Sequence, residues 1–558
     1  MDDHWIGPMP VELFLQDLMG SSDGQFVLGS PNHLQDNFQS IKSPEEYPSD
    51  KDYAKAVASV IQAVTSELSP AFSIVLDRER KNVEHGSDYS TVTDAFVYNS
   101  GLDMQISPTR WDKVDLGLEF RNSSSLCGFK DVKDDSLDEW VVQTESSCAY
   151  LDRLASCAAW TFNTQYRKHL FSFAPGLDGV RFFKWERTYS IVSCAFDFST
   201  EGKYLIEFLY RFYTMTDSGR GMDDTVILAT DKETSLAEPL LRPWIYRKCR
   251  PTFVKIRVPD GGSEREVIAG PAIATPKGIP GRATLDLPVY DMKTGNLGFL
   301  KDTWRDVSLP HELKMLKTLN DADITTSHKY IDEDWNLGAY PPVFRIHEQQ
   351  RILTEEVGRP LSHFKSSKQL TRIVYEAFLA HEDAYTICKI LHRDVSSGNI
   401  LIIYDGKASK DNHDGGRRGM LNDLDKAAPQ AKPTGTWQFM STRLLADGMQ
   451  KHLLQDDFES FIWRDFSMPP DTDLESELFL ISPRPCMPPI DPEMVVLRDH
   501  KALGAFWRAA LSKDGWPSDD GAEDQLAAEG STKRPRQDDA QLAQKRQKSG
   551  NSTPAVAA

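Results

Sequence analysis

Apolar residues recur every three or four positions over residues 52–68, at Tyr53, Ala56, Val57, Val60, Ile61 and Val64, and the run stops at Ser69-Pro70. That spacing predicts an amphipathic helix that packs through one face. Short β-type runs follow at 72–76, 95–98 and 114–120, then a helical stretch over 149–164, then runs at 170–173, 180–185 and 189–192 that read as a meander. Residues 1–50 scatter Gly, Ser, Pro, Asn and Asp around small apolar clusters and predict a loosely ordered lead-in with one short helix. Further along, 204–212 and 240–248 read as helices, 252–268 as alternating strands and 297–302 as another strand. A helix opens at Ser308-Leu309-Pro310, with Leu313, Leu316 and Leu319 on its inner face. A strand from Arg351 runs into a Gly358-Arg359-Pro360 connection, and a long helix over 369–391 buries Leu370, Ile373, Val374, Ala377, Phe378, Ala384, Tyr385 and Cys388. His381 on that helix reads as a structural hydrogen-bonding residue. One more helix is expected at 501–511, and the fold class is α+β.

Composition narrows the setting. With 558 residues, 40% hydrophobic and 10% aromatic, the chain has material for two to four domains with packed cores. Lys and Arg number 64 against 83 Asp and Glu, a net charge of −19, which argues against a nucleic-acid-coating surface. The seven cysteines are scattered without CxxC pairing, so neither a disulfide framework nor a zinc site is indicated and a reducing compartment is expected. No apolar run reaches membrane-span length, and the N-terminal residues lack the basic and apolar regions of a signal peptide, so no membrane partner is expected. After Gly515 the composition turns to Asp, Glu, Ala, Gln and Ser, which predicts a disordered tail. Within it Lys533-Arg534-Pro535-Arg536 and Lys545-Arg546-Gln547-Lys548 read as a bipartite nuclear-import signal for an import receptor, which points to nucleus or cytoplasm.

Two stretches carry candidate chemistry. His392-Arg393-Asp394 is followed by Asn399 and an apolar strand, with Asp423 further on. This is the donor and acceptor set of phosphoryl transfer: Asp394 receives the proton of the substrate hydroxyl, while Asn399 and Asp423 hold Mg²⁺ against nucleotide phosphates. Upstream, Gly278 and Gly281 sit where a phosphate-covering turn belongs, Lys301 lies on the next strand to touch the α/β-phosphates, and Glu312 is the carboxylate to orient it. Residues 408–419 read as an inserted hairpin tip. Asp457 is placed either to brace the catalytic loop through backbone N–H groups or to cap a helix. A weaker constellation, Asp94 with Glu119 and Arg121, has the look of a metal-dependent nuclease edge, but an Arg cannot lose a proton to activate water.

The chain resembles the fungal-type protein kinases, a divergent branch of the protein-kinase-like fold. The resemblance rests on residues 165–172, Trp185-Glu186-Arg187, Gly281-Arg282-Ala283-Thr284, Lys301-Asp302-Thr303-Trp304, Gly358-Arg359-Pro360-Leu361, residues 391–401, Asp423-Leu424-Asp425, residues 435–441 and Asp457-Phe458-Glu459-Ser460. It implies a two-lobed kinase fold preceded by an α+β N-terminal domain, with ATP and Mg²⁺ as cofactors and Ser/Thr phosphorylation of a protein substrate. On that basis residues 1–50 are a lead-in, 51–250 the N-terminal domain, 251–360 the N-lobe, 361–514 the C-lobe and 515–558 the tail. It further implies Asp394 as base with Lys301, Glu312 and Arg393 around it, Gly281, Lys301, Asn399 and Asp423 toward the nucleotide, and Asn399 and Asp423 as metal ligands.

The pattern departs from that family at four places. Ser396 stands where most protein kinases have Lys, Asp425 where Gly is usual, and Arg443 where a Glu anchors the docking segment; the chain beyond Phe461 is short and proline-interrupted. Two alternatives follow. One is a pseudokinase that binds nucleotide or a partner without turnover, the other a small-molecule phosphotransferase.

Overall fold

Alternating side chains along β-strands build a central sheet with a core on each face, and this sheet opens the structure, a computed structural model. Residues 4–20, 32–76, 95–99, 111–120, 128–131, 140–176, 179–245, 251–260, 263–273, 275–276, 278–279, 281–306, 330–331, 347–404, 417–424, 436, 439–446, 451–462, 499–513 and 516 are described. The chain divides into two compact units, one of residues 1–309 and 331–354, the other of 310–330 and 355–558.

In the first unit, β1 (Trp5–Met9), α1 (Asp50–Leu68), β2 (Phe72–Leu76), β3 (Ala95–Asn99), β4 (Val114–Leu118), α2 (Glu145–Thr164), β5 (His169–Gly176), β6 (Gly179–Glu186), β7 (Ser190–Ser193) and α3 (Lys203–Thr214) follow in order. The sheet runs β1-β7-β6-β5-β4-β3-β2, with β1 parallel to β7, β4 parallel to β5 and the other neighbours antiparallel. Phe171, Phe173 and Phe182 point to one face, where Tyr53, Val57 and Ile61 of α1 and Leu205, Phe208 and Phe212 of α3 cover them. Leu170, Phe183 and Trp185 point to the other and meet Leu151, Leu154, Ala158 and Phe162 of α2. The period-2 pattern of β5 and β6 therefore serves two cores at once. Helix α1 starts where the Ser49 hydroxyl accepts the Asp52 N–H, and α2 where Thr144 accepts from Ser147.

The N-terminal lead-in differs from expectation. Residues Trp5–Met9 form an edge strand, and Phe14, Leu15 and Phe38 are buried in the main core. Burial of these three side chains, each worth ~1.5–3 kcal/mol, outweighs the turn-forming composition around them.

A second sheet follows in the same unit. Its strands include β8 (Val226–Leu228), then, after helix α4 (Asp231–Leu241), β9 (Val254–Asp260), β10 (Ser263–Ala269), β11 (Leu285–Asp291), β12 (Leu297–Asp306) and β13 (His347–Thr354). They pair antiparallel in the order β13-β12-β11-β10-β9-β8. Residue 250 is not where this unit divides. Strand β8 pairs with β9 across that point, and Arg351 on β13 forms ion pairs with Asp223 at 2.6 Å and Asp302 at 2.9 Å. The helix expected at 240–248 begins earlier, at Asp231, where Thr230 and Glu233 form a capping box. Residues 308–319, including the expected inner face at Leu313, Leu316 and Leu319, lie outside the described residues.

The second unit contains β14 (Arg359–Pro360), α5 (Ser367–Cys388), β15 (Ile400–Tyr404), β16 (Arg417–Leu421), α6 (Thr442–Ala446), α7 (Leu454–Ile462) and α8 (His500–Leu511). Its core joins Ile373, Ala377 and Phe378 of α5 to Ile400, Ile402, Phe458, Phe461, Leu503 and Trp507. The inserted segment is a strand at its end: β16 pairs antiparallel with β15, and Gly419 lies so close to α5 that a Cβ there would come within 2.1 Å of the Ile373 carbonyl oxygen. The rest of that insertion, Asp425, residues 468–492 and the basic clusters of the tail lie outside the described residues. No helix among the described residues is long and apolar enough to cross a membrane.

Candidate active site

Helix α5 ends in a left-handed cap at Lys389 (φ 60°), whose N–H reaches Tyr385 O, while Ile390 N–H reaches Ala384 O. That reversal delivers the chain to His392. The His392 backbone N–H donates to Asp457 Oδ2 at 3.1 Å, and Arg393 N–H donates to Oδ1 at 3.0 Å. Arg393 itself is held in the left-handed region at φ 65°, a conformation a non-glycine residue keeps only when its surroundings over-determine it. The His392 ring accepts Asp394 N–H on Nδ1 at 3.3 Å and donates from Nε2 to Asn422 O at 2.8 Å. This pairing assigns a neutral ring, in agreement with the lowering of its pKa by burial.

Three of the expected residues meet in this loop. Asn399 Nδ2 donates to Asp394 O at 2.8 Å, which turns its Oδ1 the other way. Asn422 N–H donates to Asn399 O at 2.8 Å, and Ile400 lies opposite Leu421 in the β15–β16 ladder, so the hairpin sets Asp423 beside the loop. Asp423 takes a left-handed φ of 66°. The Asp394 carboxylate is buried and accepts two hydrogen bonds from one residue, Thr436 N–H at 2.6 Å and Thr436 Oγ1–H at 2.8 Å. Residues 435–441 mark the docking segment in the sequence, but nothing in the spacing singles out Thr436 as the partner of Asp394.

The loop is held from behind by Asp457. Its fully buried carboxylate also accepts His381 Nε2–H and His452 Nε2–H, both at 2.9 Å. Burial alone would raise its pKa, but the hydrogen bonds from the two histidines hold it far below the usual carboxylate range. The bracing role read from sequence is thus present, and His381 is structural as expected: its Nδ1 meets His500 Nε2 at 2.9 Å. Arg443 departs from the usual family pattern, yet it is anchored. Its guanidinium pairs with Asp456, its Nη2 donates to Lys451 O at 2.7 Å, and the Ser441 hydroxyl and Leu453 N–H also reach the Asp456 carboxylate. Ser396 is buried, and its carbonyl accepts Asn399 N–H at 3.1 Å.

Lys301 and Gly281 lie in the first unit. Lys301 is buried on β12, opposite Asp286 on β11 and Ile352 on β13. Gly281, at φ 113°, belongs to the connection between β10 and β11; the next residue's carbonyl, Arg282 O, accepts Trp304 N–H at 2.6 Å and the Thr303 hydroxyl at 3.0 Å, which ties this connection to the strand of Lys301. Glu312 lies outside the described residues, as do Asp94 and Arg121 of the nuclease-like constellation. Glu119, the remaining member of that set, is buried and paired with Arg153 at 3.1 Å. Cys148, Cys157, Cys194 and Cys388 are free thiols.

Among the described residues no three His, Cys, Asp or Glu side chains gather into a self-contained metal site. Asn399 and Asp423 together offer an amide oxygen and a carboxylate, hard oxygen donors that suit Mg²⁺ when phosphate oxygens and water complete its shell. The sequence profile of the fungal protein kinases matches residues 138–335 and 342–464, so the match begins within the N-terminal region. No curated protein matches the chain. The matched segments take in the strand of Lys301, the loop of Asp394 and the helix of Asp457, and amount to more than half of the sequence; the chain belongs to the fungal protein kinase family.

Proposed function

We propose that this kinase-family chain is an ATP- and Mg²⁺-dependent protein kinase that transfers the γ-phosphoryl group to a Ser or Thr hydroxyl. In this reading β10–β13 form the sheet of an N-lobe and the second unit the C-lobe of a two-lobed fold. The observation that carries it is the anchored carboxylate of Asp394, fixed by Thr436 in front and by the Asn399 amide on its own carbonyl. An acid held as an anionic acceptor takes the proton of the attacking hydroxyl as the new O–P bond forms and the β–γ bond breaks, the bonding electrons leaving with ADP. Lys301 contacts the α/β-phosphates with Glu312 as its counter-ion, the Gly281 connection covers the phosphates, and Arg393 supports the loop. Asn399 and Asp423 hold Mg²⁺, which when bound neutralises charge on the β- and γ-phosphate oxygens. The substrate is a protein, and the basic clusters of the tail serve nuclear import.

A second reading, a pseudokinase, is favoured by Ser396: a buried, uncharged side chain occupies the place where most protein kinases set a cation near the transferred group. Transfer of labelled γ-phosphate from ATP to a generic protein substrate, measured for wild type, Asp394→Ala and Asp423→Asn, separates the two. Loss of at least a hundredfold in both variants is expected. Equal signal from all three sinks the kinase reading, and ATP binding without transfer by wild type supports the pseudokinase.

A further inference from the structure

The connection that carries Gly278 and Gly281 is fastened to the N-terminal α+β region at three of its described residues, Pro276, Ile279 and Gly281. Asn163 Nδ2, near the end of α2, donates to Pro276 O at 2.8 Å. Gly281 N–H donates to Arg187 O at 3.2 Å. Ile279 is buried in the core that Trp5, Phe162 and Trp185 share. Arg187, just past β6, is itself locked: its guanidinium is enclosed 4.1 Å over the Phe162 ring, and its Nη2 reaches Phe162 O at 3.5 Å. Burial lowers its pKa to about 10 against the opposing charge of Asp302, the neighbour of Lys301 on β12. Its Nε and Nη1 find no hydrogen-bond partner among the described residues. A cation is enclosed at such cost only where the surrounding structure fixes it, and here it fixes the carbonyl that receives Gly281.

A glycine-bearing segment free to move must be ordered when phosphates bind, and that ordering subtracts from affinity. We propose that the N-terminal α+β region is a built-in brace for the nucleotide-covering segment, with Asn163 and Arg187 as positioning residues that hold residues 276–281 ready for the phosphates of ATP. The inference rests on the kinase reading above and assigns the N-terminal region a part in nucleotide affinity rather than in recognition of a separate ligand.

The test uses the full chain with Asn163→Ala, Asn163→Asp and Arg187→Met, reading hydrogen exchange over residues 270–284, binding of ATP with Mg²⁺ by calorimetry, and the KM for ATP against kcat. Each Asn163 variant is expected to speed exchange in that segment and to raise the ATP KM roughly three- to tenfold, the worth of one hydrogen bond, with a smaller change in kcat. Arg187→Met is judged only if it melts as a folded protein; Asn163, half-buried, carries the test alone. Unchanged exchange overturns the brace, as does unaltered ATP affinity in variants whose exchange has risen. A wild-type chain that binds no ATP sinks the nucleotide reading itself, an outcome distinct from wild type and Asn163 variants binding ATP equally.

Discussion

Asp456 and Asp457 are consecutive on α7, yet their carboxylates hold different segments: Asp456 takes Ser441, Arg443 and Leu453, and Asp457 takes His381, His452 and the backbone of His392 and Arg393. One helical turn thus holds both the segment of Ser441 and Arg443 and the loop of Asp394. Asp457→Ala leaves two buried imidazoles and two backbone N–H groups without their acceptor. It is expected to cost about 3–5 kcal/mol of stability and at least a hundredfold in kcat, read by urea unfolding and by phosphate transfer. A variant with wild-type kcat would remove the bracing role.

Arg443 stands where a Glu anchors this segment in most relatives of the fold, and its pairing with Asp456 gives the segment an anchor of its own. Arg443→Leu is expected to lose about 1–2 kcal/mol and to raise the KM for protein substrate while the KM for ATP stays put. A double-mutant cycle with Asp456→Ala checks the pairing: coupling below about 0.3 kcal/mol, the level of additivity between independent sites, would mean that the two residues act separately.

Much of this was legible in the sequence, for identifiable reasons. The spacing of Asp394, Asn399 and Asp423 is local, so the loop and the β15–β16 hairpin that assemble them are encoded within one short stretch. The stripe at Ile373, Ala377 and Phe378 likewise declares a buried helix face. What spacing does not encode is long-range hydrogen bonding. His500 lies 119 residues beyond His381, and Thr436 lies 42 beyond Asp394. In the lead-in turn-forming residues surround the few apolar ones and mask the signal, whereas Phe14 and Phe38 decide where it goes. The capping box at Thr230 and Glu233 was a readable signal for α4.

Thr436 supplies both donors to Asp394 Oδ1. Thr436→Val keeps the shape and the backbone N–H but deletes the hydroxyl, so kcat is expected to fall roughly ten- to a hundredfold, while Thr436→Ser, which retains the hydroxyl, stays close to wild type. Single-turnover transfer with saturating ATP makes the comparison. Equal rates for Val and Ser would show that the hydroxyl does not position the base.

The chain His500–His381–Asp457 gives the second unit a defined response to acid. With Asp457 ionised, His381 donates from Nε2 to its carboxylate and accepts the His500 Nε2–H on Nδ1. His500 packs against Phe378, Phe458 and Tyr385, with His381, Asp499 and Asp457 as titratable groups acting on it. Burial pushes His500 down to about 4. Between the unfolded value near 6.5 and that folded value, the unfolded chain binds a proton the folded chain refuses. Stability therefore falls as pH drops through this window and levels off below it, by up to ~3 kcal/mol from this residue. His392, also lowered by burial, acts in the same direction. His500→Gln retains an N–H for His381 and cannot titrate, so its stability should depend less steeply on pH between 6.5 and 4, as read from urea midpoints. His169, pushed to about 4 by burial in the other unit, contributes equally to both chains and cancels in the comparison. Parallel pH profiles for wild type and His500→Gln would show that His500 takes its proton as readily folded as unfolded.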